Sequence, residues 1–219
     1  MRRTAILASL AAALLFSAYT GTSKGNTEHR ETTVAAGVAV PAKGKAYNVV
    51  LDKSELKWNA KKITGAHNGT INLKSGQLEV NKNRVTGGEF VIDMGSLVCS
   101  DNAKVGAHLK NDDFFGVEKF PTATFKVSSV KPIENAVAGE PNFTVTGDLT
   151  IKNITNPVSF PAIINVKSGV ATATGDVTVD RTKYDIRYRS SSFFSDLGDK
   201  AIYDDFTVSL NITAQQASI

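Results

Sequence analysis

The sequence predicts an all-β protein, an antiparallel β-barrel of about eight strands with one or two short helices. Three observations carry this prediction. Apolar residues alternate with other residues along most of the chain after residue 44, as expected for strands with one buried face. Turn-forming residues separate the alternating runs at short intervals, and the one clear helical pattern is short. A sandwich and a closed barrel both fit this pattern, and we favour the barrel because closure leaves no exposed sheet edges.

Residues 1–18 have the pattern of an export signal peptide. Arg2 and Arg3 precede an uncharged apolar run from Ala5 to Ala18, and this order is typical of secretory signals. The run is shorter than the roughly 20 residues that span a bilayer as a helix, and no other stretch is long enough, so we expect no transmembrane span in the mature chain. Tyr19 stands where a lipoprotein signal would have its lipidated cysteine. We therefore predict a periplasmic or secreted protein, and a membrane lipoprotein only if position 19 were Cys.

Residues 19–43 are rich in Thr, Gly, Ala and Ser without periodicity, and we interpret them as a flexible linker. The folded domain then covers residues 44–214, a length that suits a single domain. Without Arg2 and Arg3 the chain would have about 23 basic residues against 21 acidic ones. This near balance favours neither nucleic acid nor an anionic membrane as a partner.

The predicted strands are defined by apolar residues at every second position. In chain order these positions are Tyr47, Val49 and Leu51; Leu56, Trp58 and Ala60; Ile71 and Leu73; Leu78 and Val80; Phe90, Ile92 and Met94; Ala123, Phe125 and Val127; Phe143, Val145, Gly147, Leu149 and Ile151; Val158, Phe160, Ala162 and Ile164; Ala171, Ala173, Gly175, Val177 and Val179; and Phe206, Val208, Leu210 and Ile212. Turns are predicted at 52–54, 74–76, 81–83, 153 and 168–169 from their Gly, Asn, Asp and Ser residues.

A short helix is predicted from about Asp101 to Asn111. Ser100 or Asp101 is expected to cap its first turn, and Val105 and Leu109 lie on one face at i, i+4.

The sequence contains no pattern that announces a metal site, a disulfide or a cofactor. The three histidines, His29, His67 and His108, are far apart, with no i, i+4 pair and no cysteine partner, so we expect no metal site. Cys99 is the single cysteine, which excludes an internal disulfide, and we predict that it is a small buried hydrophobic residue.

Two acidic pairs, Asp112-Asp113 and Asp204-Asp205, are the candidates for acid–base groups. Adjacent residues of an extended chain point to opposite faces, so these pairs fit helix termination and solvation better than a catalytic dyad. Nucleophile-elbow and phosphate-loop motifs are also absent from the sequence. We therefore predict that the protein is not an enzyme.

The segment from Arg181 to Arg189 contains four cations and two tyrosines. Such a group suits a pyrophosphate, a quinone carbonyl or an anionic lipid head. The alternative, which the sequence leaves open, is a strand-to-loop segment whose charges face water, with Arg187 and Arg189 on the same side of a strand. His108 has the same two interpretations, as a head-group contact or as an ordinary helix residue.

Three stretches resemble the YceI-like family. They are 108–125, with His108-Leu109, Phe114-Phe115 and Phe120-Pro-Thr-Ala-Thr-Phe125; 147–160; and 179–186. The resemblance extends from about Ala46 to Thr213 and implies a lipocalin-like antiparallel barrel that encloses an apolar tunnel for a polyisoprenoid chain. The segment Ser54-Glu-Leu-Lys-Trp58, the loop Cys99-Ser-Asp-Asn-Ala103 and the residues Asp180 and Asp185 depart from the family pattern. The resemblance therefore implies the fold and leaves the ligand undetermined.

We hypothesise an exported protein that binds a long apolar lipid, such as an isoprenoid quinone or a polyprenyl phosphate, for transport, storage or sequestration. The sequence is also compatible with a homodimer. The expected ligand contacts are Trp58, Phe90, Ile92, His108, Phe114, Phe115, Phe125, Phe143, Val145, Leu149, Phe160 and Arg187. One alternative is a filled barrel that acts as a stress-related interaction module. Another is an enzyme on a lipid-like substrate that uses His108 with Asp112 or Asp113.

Overall fold

The computed structural model describes residues 44–218, in which nine strands form one antiparallel sheet. The strands are β1 Lys45–Val49, β2 Glu55–Lys62, β3 Gly65–Asn81, β4 Arg84–Cys99, β5 Thr122–Pro132, β6 Phe143–Ile151, β7 Ile154–Lys167, β8 Val170–Asp180 and β9 Ile202–Gln216. One α-helix, α1, spans Ala103–Leu109, and single turns of 3₁₀-helix lie at Leu51–Lys53, Arg181–Tyr184 and Gly198–Lys200. The predicted signal peptide and linker lie outside the described residues.

The sheet closes into a barrel with eight strand positions. Neighbouring strands follow the order β3, β2, β9, β8, β7, β6, β5 and β4, and β4 pairs again with β3. The strands β1 and β2 share one position between β3 and β9: Tyr47 of β1 pairs with Leu78 and Gln216, and Leu56 of β2 pairs with Ile71 and Leu210. The predicted all-β barrel of about eight strands is therefore confirmed.

Antiparallel connectivity gives the two ends of the barrel different characters. The helix α1 and the segments 110–121 and 181–201 connect strands at one end, which we call the helix end. The opposite end has the tight turn 82–83, the turn 168–169 and the loop 133–142. The two longest connections, 110–121 and 181–201, thus lie at the helix end, and binding residues are commonly found in such loops.

Most of the predicted turns are confirmed by backbone geometry. Lys82 and Asn83 have φ of 47° and 59°, and Lys152 and Asn153 have φ of 52° and 61°. Two consecutive positive φ angles are the mark of a type I′ hairpin turn, which asparagine and glycine tolerate best. Ser168 and Gly169 have the same signs of φ, at 51° and 76°.

The turn predicted at 74–76 is wrong, because β3 continues through it. The register with β4 shifts between Leu73 and Ser75, so the strand has a bulge there. A Cβ atom on Gly76 would lie 2.7 Å from Cγ2 of Val49 and 2.9 Å from Cδ1 of Phe90. Glycine is therefore needed at position 76 for close packing against two side chains.

The predicted helix is present but its cap differs from the prediction. Asn102 is the N-cap, and its side-chain oxygen accepts hydrogen bonds from the backbone N–H groups of Lys104 and Val105 at 3.1 and 3.3 Å. Asp101, one of the two predicted caps, instead contacts His67 and Cys99.

Candidate functional site

The barrel encloses a cavity of about 500 Å³. This volume lies within the roughly 300–1,000 Å³ of typical small-molecule sites. Strands β2 to β9, α1 and the connections at the helix end contribute its walls. The apolar wall includes Leu56, Trp58, Ile71, Leu73, Phe90, Ile92, Met94, Leu97, Leu109, Phe114, Phe115, Phe125, Val145, Leu149, Phe160, Phe206, Val208 and Leu210.

Several inward-facing residues remain only half-buried because they face this cavity. Phe90, Phe125, Leu149 and Leu210 alternate with outward-facing residues, line the cavity and are not fully covered by protein. Of the small residues predicted to face inward on β8, Ala173 lines the cavity, whereas Ala171 is fully buried against the core. A packed interior would bury all of these side chains, so the structure disagrees with the filled-barrel alternative.

The deep wall is aromatic. The ring centroids of Phe125 and Phe160 lie 5.9 Å apart, and those of Phe90 and Phe125 lie 6.5 Å apart. Trp58 is buried, and its Nε1 donates a hydrogen bond to the carbonyl oxygen of Val98 at 3.0 Å. The indole therefore presents an apolar surface to the cavity while its polar atom is satisfied.

The cavity opens at the helix end. Every exposed residue that lines it there belongs to the β2–β3 hairpin or to the segment 181–203: Lys61, Arg189, Asp199, Lys200 and Tyr203. We call these residues, together with the half-buried Lys62, the mouth. Within residues 44–218, no carboxylate lies within 4.0 Å of the charged nitrogens of Lys61, Lys62, Arg189 or Lys200. As far as the structure describes the chain, the mouth thus has four cations without an ion-pair partner and one carboxylate, that of Asp199.

His108 lies beside the mouth in a fixed position. Its Nε2 lies 2.7 Å from Oδ2 of Asp113. Its ring packs edge-on against Phe114 and Tyr188, with centroid distances of 5.0 and 4.9 Å. The histidine therefore presents its ring to the cavity and its nitrogen to a carboxylate outside it.

Arg181 is a buried cation that anchors the segment 181–201, which connects β8 and β9 at the helix end. Its guanidinium donates to the backbone oxygens of Tyr203, Ile186 and Ile202 at 3.1, 2.9 and 3.0 Å and to Asp204 at 3.2 Å. Burial lowers the pKa of this guanidinium, and the nearby carboxylates of Asp204 and Asp180 oppose that shift. The network fixes the start of β9 to the segment that follows β8.

A polar cluster lies next to the cavity wall at the helix end. Oδ2 of Asp101 lies 2.9 Å from Nδ1 of His67, and Sγ of Cys99 donates to Oδ1 of the same carboxylate at 2.9 Å. The hydrogen bonds from Cys99 and His67 lower the pKa of Asp101 to about 2. Burial, followed by the hydrogen bond to Asp101, raises the pKa of the Cys99 thiol. Cys99 is buried, as its sequence context predicts.

All but two of the twelve predicted ligand contacts line the cavity. Phe143 does not; it is partly buried and packs against the core at the start of β6, at the opposite end of the barrel. Arg187 does not either; its Nε lies 2.7 Å from Oδ1 of Asp185, and its guanidinium lies 4.7 Å from the Phe193 ring centroid. Whether the remaining ten contact a ligand stays a prediction.

Sequence reasoning missed Arg189 and Tyr188 as individual wall residues. It expected Arg187 and Arg189 to share one side of a strand, but Arg189 has φ of 49°, and the segment 181–201 is not a strand. The left-handed residue breaks the alternation, so Arg189 turns toward the cavity and Arg187 away from it. The cluster of cations and tyrosines in the sequence identified this segment as a candidate site. It did not predict which of the side chains face the cavity.

Within residues 44–218, no helix has the length and apolar character that crossing a membrane requires.

Comparison with protein families places most of the chain in one family. The family model described as the YceI-like domain matches residues 47–214. A UPF0312 protein of Shewanella denitrificans is 32% identical over 95 residues, which cover 43% of this chain and 47% of that protein. A UPF0312 protein of Vibrio vulnificus is 29% identical over 130 residues, which cover 58% of this chain and 62% of that protein. The chain thus matches about half the length of these curated relatives.

Solved structures share the fold. The crystal structure of BcnA from Burkholderia cenocepacia superimposes with a TM-score of 0.61 at 20% identity, covering 76% of this chain and 99% of that one. A polyisoprenoid-binding domain from Saccharophagus degradans, implicated in plant cell wall breakdown, superimposes with a TM-score of 0.58 at 16% identity, covering 79% of this chain and 99% of that one. At these identities the likeness establishes the barrel architecture.

Proposed function

We propose, from the premise that the chain belongs to the YceI-like domain family, that it binds a long apolar lipid inside its barrel. The observation that carries this proposal is the apolar cavity of about 500 Å³, open at the helix end and bordered there by cations. A cavity with an apolar interior and polar groups at its opening suits an amphiphile whose tail enters first.

The energetics of such a site depend mainly on the tail. Each buried methylene contributes about 0.8 kcal/mol before ordering costs. Even at about 0.3 kcal/mol per heavy atom, a tail of about forty carbons reaches roughly nanomolar affinity. Tight binding therefore needs no elaborate head-group site, in keeping with the scarcity of polar motifs in the sequence.

We propose that the lipid is an isoprenoid, either a quinone or a polyprenyl phosphate. The polyisoprenoid-binding domain from Saccharophagus degradans supports this class, because it has the same barrel. Between the two head groups, the mouth favours the phosphate. Four cations that have no ion-pair partner among the described residues border the cavity. The guanidinium of Arg189 lies 5.1 Å from the ring centroid of Tyr188 and is exposed to an incoming anion.

We further propose that the protein carries or sequesters this lipid after export, without chemical turnover. The signal-like sequence of residues 1–18 supports export. Among the described residues that line the cavity there is no serine, threonine or cysteine that would serve as a nucleophile beside His108.

Mass spectrometry of the purified protein tests the proposal. We expect a native mass above that of the polypeptide, an isoprenoid released in a one-to-one ratio by organic extraction, and an N-terminus that begins after residue 18. A polypeptide mass that stays unchanged after incubation with quinones and polyprenyl phosphates would overturn lipid binding. An intact Met1 in protein from the periplasmic fraction would overturn signal cleavage while leaving lipid binding untouched.

A matched pair of tryptophan variants on β8 locates the bound lipid. Ala173 lines the cavity, whereas its neighbour Thr174 is exposed on the outer face. We expect Ala173→Trp to fill the cavity and lower the amount of lipid recovered several-fold, and Thr174→Trp to leave it unchanged. Equal recovery from two variants that melt at the same temperature would place the lipid outside the barrel.

A further inference from the structure

Three metal-binding side chains of different chemistry meet beside the cavity at the helix end. The ligand atoms of His67, Cys99 and Asp101 all lie within 4.8 Å of one another, and both oxygens of Asp101 already contact the other two residues at 2.9 Å. Spacing along the chain alone predicts no metal site, because His67 has no second histidine and no cysteine near it in the sequence. The register of the sheet supplies the partner that His67 lacks in sequence.

The register also explains why the three side chains converge. Gly69 of β3 pairs with Cys99 of β4, and the backbone N–H of Ser100 donates to the carbonyl oxygen of Asn68 at 2.8 Å. Continuing this antiparallel alignment by two residues in each direction places His67 opposite Asp101. Cys99 and Asp101 are two residues apart, so their side chains point to the same side.

The backbone around the cysteine is tightly fixed. Gly106 of α1 packs so closely that a Cβ atom there would lie 3.1 Å from the Cys99 nitrogen and 3.3 Å from its Cβ. Cys99 is only 5% exposed, whereas the side chains of His67 and Asp101 are 24% and 41% exposed. The thiol thus lies at the buried side of the cluster, and a metal ion could reach it from solvent past the side chains of His67 and Asp101.

We propose that Nδ1 of His67, Sγ of Cys99 and a carboxylate oxygen of Asp101 bind a Zn²⁺ ion, with the fourth position open to water. Zinc favours nitrogen, thiolate and carboxylate ligands in a tetrahedron, at about 2.0–2.3 Å from the metal, which separates pairs of ligands by roughly 3.3–3.6 Å. The observed cluster needs only small side-chain movements to reach this geometry. On binding, the Cys99 thiol releases its proton to water, the proton on Nδ1 of His67 is replaced by one on Nε2 so that Nδ1 can bind the metal, and Asp101 exchanges two hydrogen bonds for one metal bond.

Such an ion would join the start of β3, the end of β4 and the turn before α1. His67 also lines the lipid cavity, so the site would brace the cavity wall at the helix end. The site does not depend on the lipid, because its three ligands all come from the chain, without any contribution from a bound tail or head group.

Titration of the full chain with Zn²⁺ against a chromogenic chelator tests the proposal. We expect one ion per chain, a rise in melting temperature with Zn²⁺ and its reversal by EDTA. Because Cys99 is the single cysteine, Co²⁺ in place of Zn²⁺ should give a thiolate-to-metal charge-transfer band that Cys99→Ser abolishes. Asp101→Asn and His67→Gln should each weaken Zn²⁺ binding at least tenfold.

Two controls separate this site from other histidines. His108→Gln removes a histidine that also faces a carboxylate, Asp113, but has no thiol in a metal-binding cluster with it. His29→Gln removes the histidine outside the described residues. Both variants should bind Zn²⁺ as the parent does. Absence of one-to-one binding, or equal affinity in the parent and a folded Asp101→Asn variant, would overturn the proposal. Because Asp101 is an exposed side chain, that variant keeps the test decisive if Cys99→Ser folds poorly.

Discussion

Nε2 of His108 lies 2.7 Å from Oδ2 of Asp113, across the bend where α1 ends and the chain turns toward β5. The same imidazole packs against Phe114, which is 6% exposed, and against Tyr188 of the segment that precedes β9. One side chain thus joins the two connections that border the cavity opening. Asp113 is placed so that it can orient the imidazole of His108, and this arrangement suits either a catalytic or a structural role for the pair.

We predict a structural role. Both side chains are more than a third exposed, at 38% and 41%, so Asp113→Asn should lower the free energy of unfolding by no more than about 1 kcal/mol. It should leave lipid affinity within a few-fold, because the tail supplies most of the binding energy. Guanidinium unfolding and lipid titration measure the two quantities. Asp112, which pairs with Lys119 at 2.7 Å, provides the control variant Asp112→Asn.

Turnover of a lipid ester by the parent protein that disappears in His108→Gln, with binding intact, would instead support the enzyme alternative.

A second prediction compares two phenylalanines on neighbouring strands. Phe125 lines the cavity between Phe90 and Phe160, whereas Phe143 packs against the core without lining the cavity. Phe125→Ala should weaken lipid binding about tenfold, since it removes apolar contact area worth roughly 1.5–3 kcal/mol when fully buried. Phe143→Ala should destabilise the barrel without changing lipid affinity. Titration of both variants with the same isoprenoid measures the difference, and an equal loss of affinity would contradict the assignment of the wall.

The alternation of apolar residues predicted the barrel wall well, because the period of a strand fixes which side chains face inward. It did not predict how far along the barrel axis each residue lies, so Phe143 and Phe125 read alike in sequence although only Phe125 reaches the cavity. Gly76 shows a related limit. A glycine between two short alternating runs is typical of a turn, but here it accommodates Val49 and Phe90 from other strands. The conformation at such a position depends on contacts with segments that are distant in sequence, and a local sequence pattern carries no information about those contacts.

The cluster of His67, Cys99 and Asp101 illustrates the same limit for candidate sites. Cys99 and Asp101 are two residues apart in the sequence, whereas His67 comes from another strand through the register of β3 with β4. The sequence predicted that these strands exist and left their register open. Arg187 and Arg189 differ for another reason: the left-handed φ of Arg189 breaks the alternation of a strand, so only Arg189 faces the cavity.

The third prediction concerns the head group. Lys62 and Arg189 line the mouth without an ion-pair partner within residues 44–218, so a double variant, Lys62→Gln with Arg189→Gln, should weaken binding of a polyprenyl phosphate by about tenfold at low salt. The affinity for a neutral quinone with the same tail should not change. Arg187→Gln is the matched control, because Arg187 is paired with Asp185 and lies outside the cavity wall. If the double variant lost affinity for the phosphate and for the quinone equally, the cations would not distinguish a charged head group from a neutral one.

The fourth prediction concerns Tyr184, whose hydroxyl is the one buried side-chain polar atom without a hydrogen-bond partner among the described residues. Burial, with a smaller contribution from Asp180, raises the pKa of this phenol to about 12. In the unfolded chain the pKa is about 10. Below pH 10 both states keep the proton and stability does not depend on this group. Between pH 10 and 12 only the unfolded state ionises, so the free energy of unfolding should fall by an amount on the order of 2 kcal/mol.

Tyr184→Phe isolates this effect. The variant removes the unpartnered hydroxyl and keeps the ring, so at pH 8 it should be as stable as the parent or more stable by up to about 1 kcal/mol. Above pH 10 its stability should exceed that of the parent by a growing margin, since it has no phenol at this position to ionise. Guanidinium unfolding of both proteins at pH 8, 10 and 11.5 gives the difference, in which the shared titration of lysines cancels. A difference that stays constant with pH would mean that the hydroxyl of Tyr184 reaches water or an unseen partner in the folded protein.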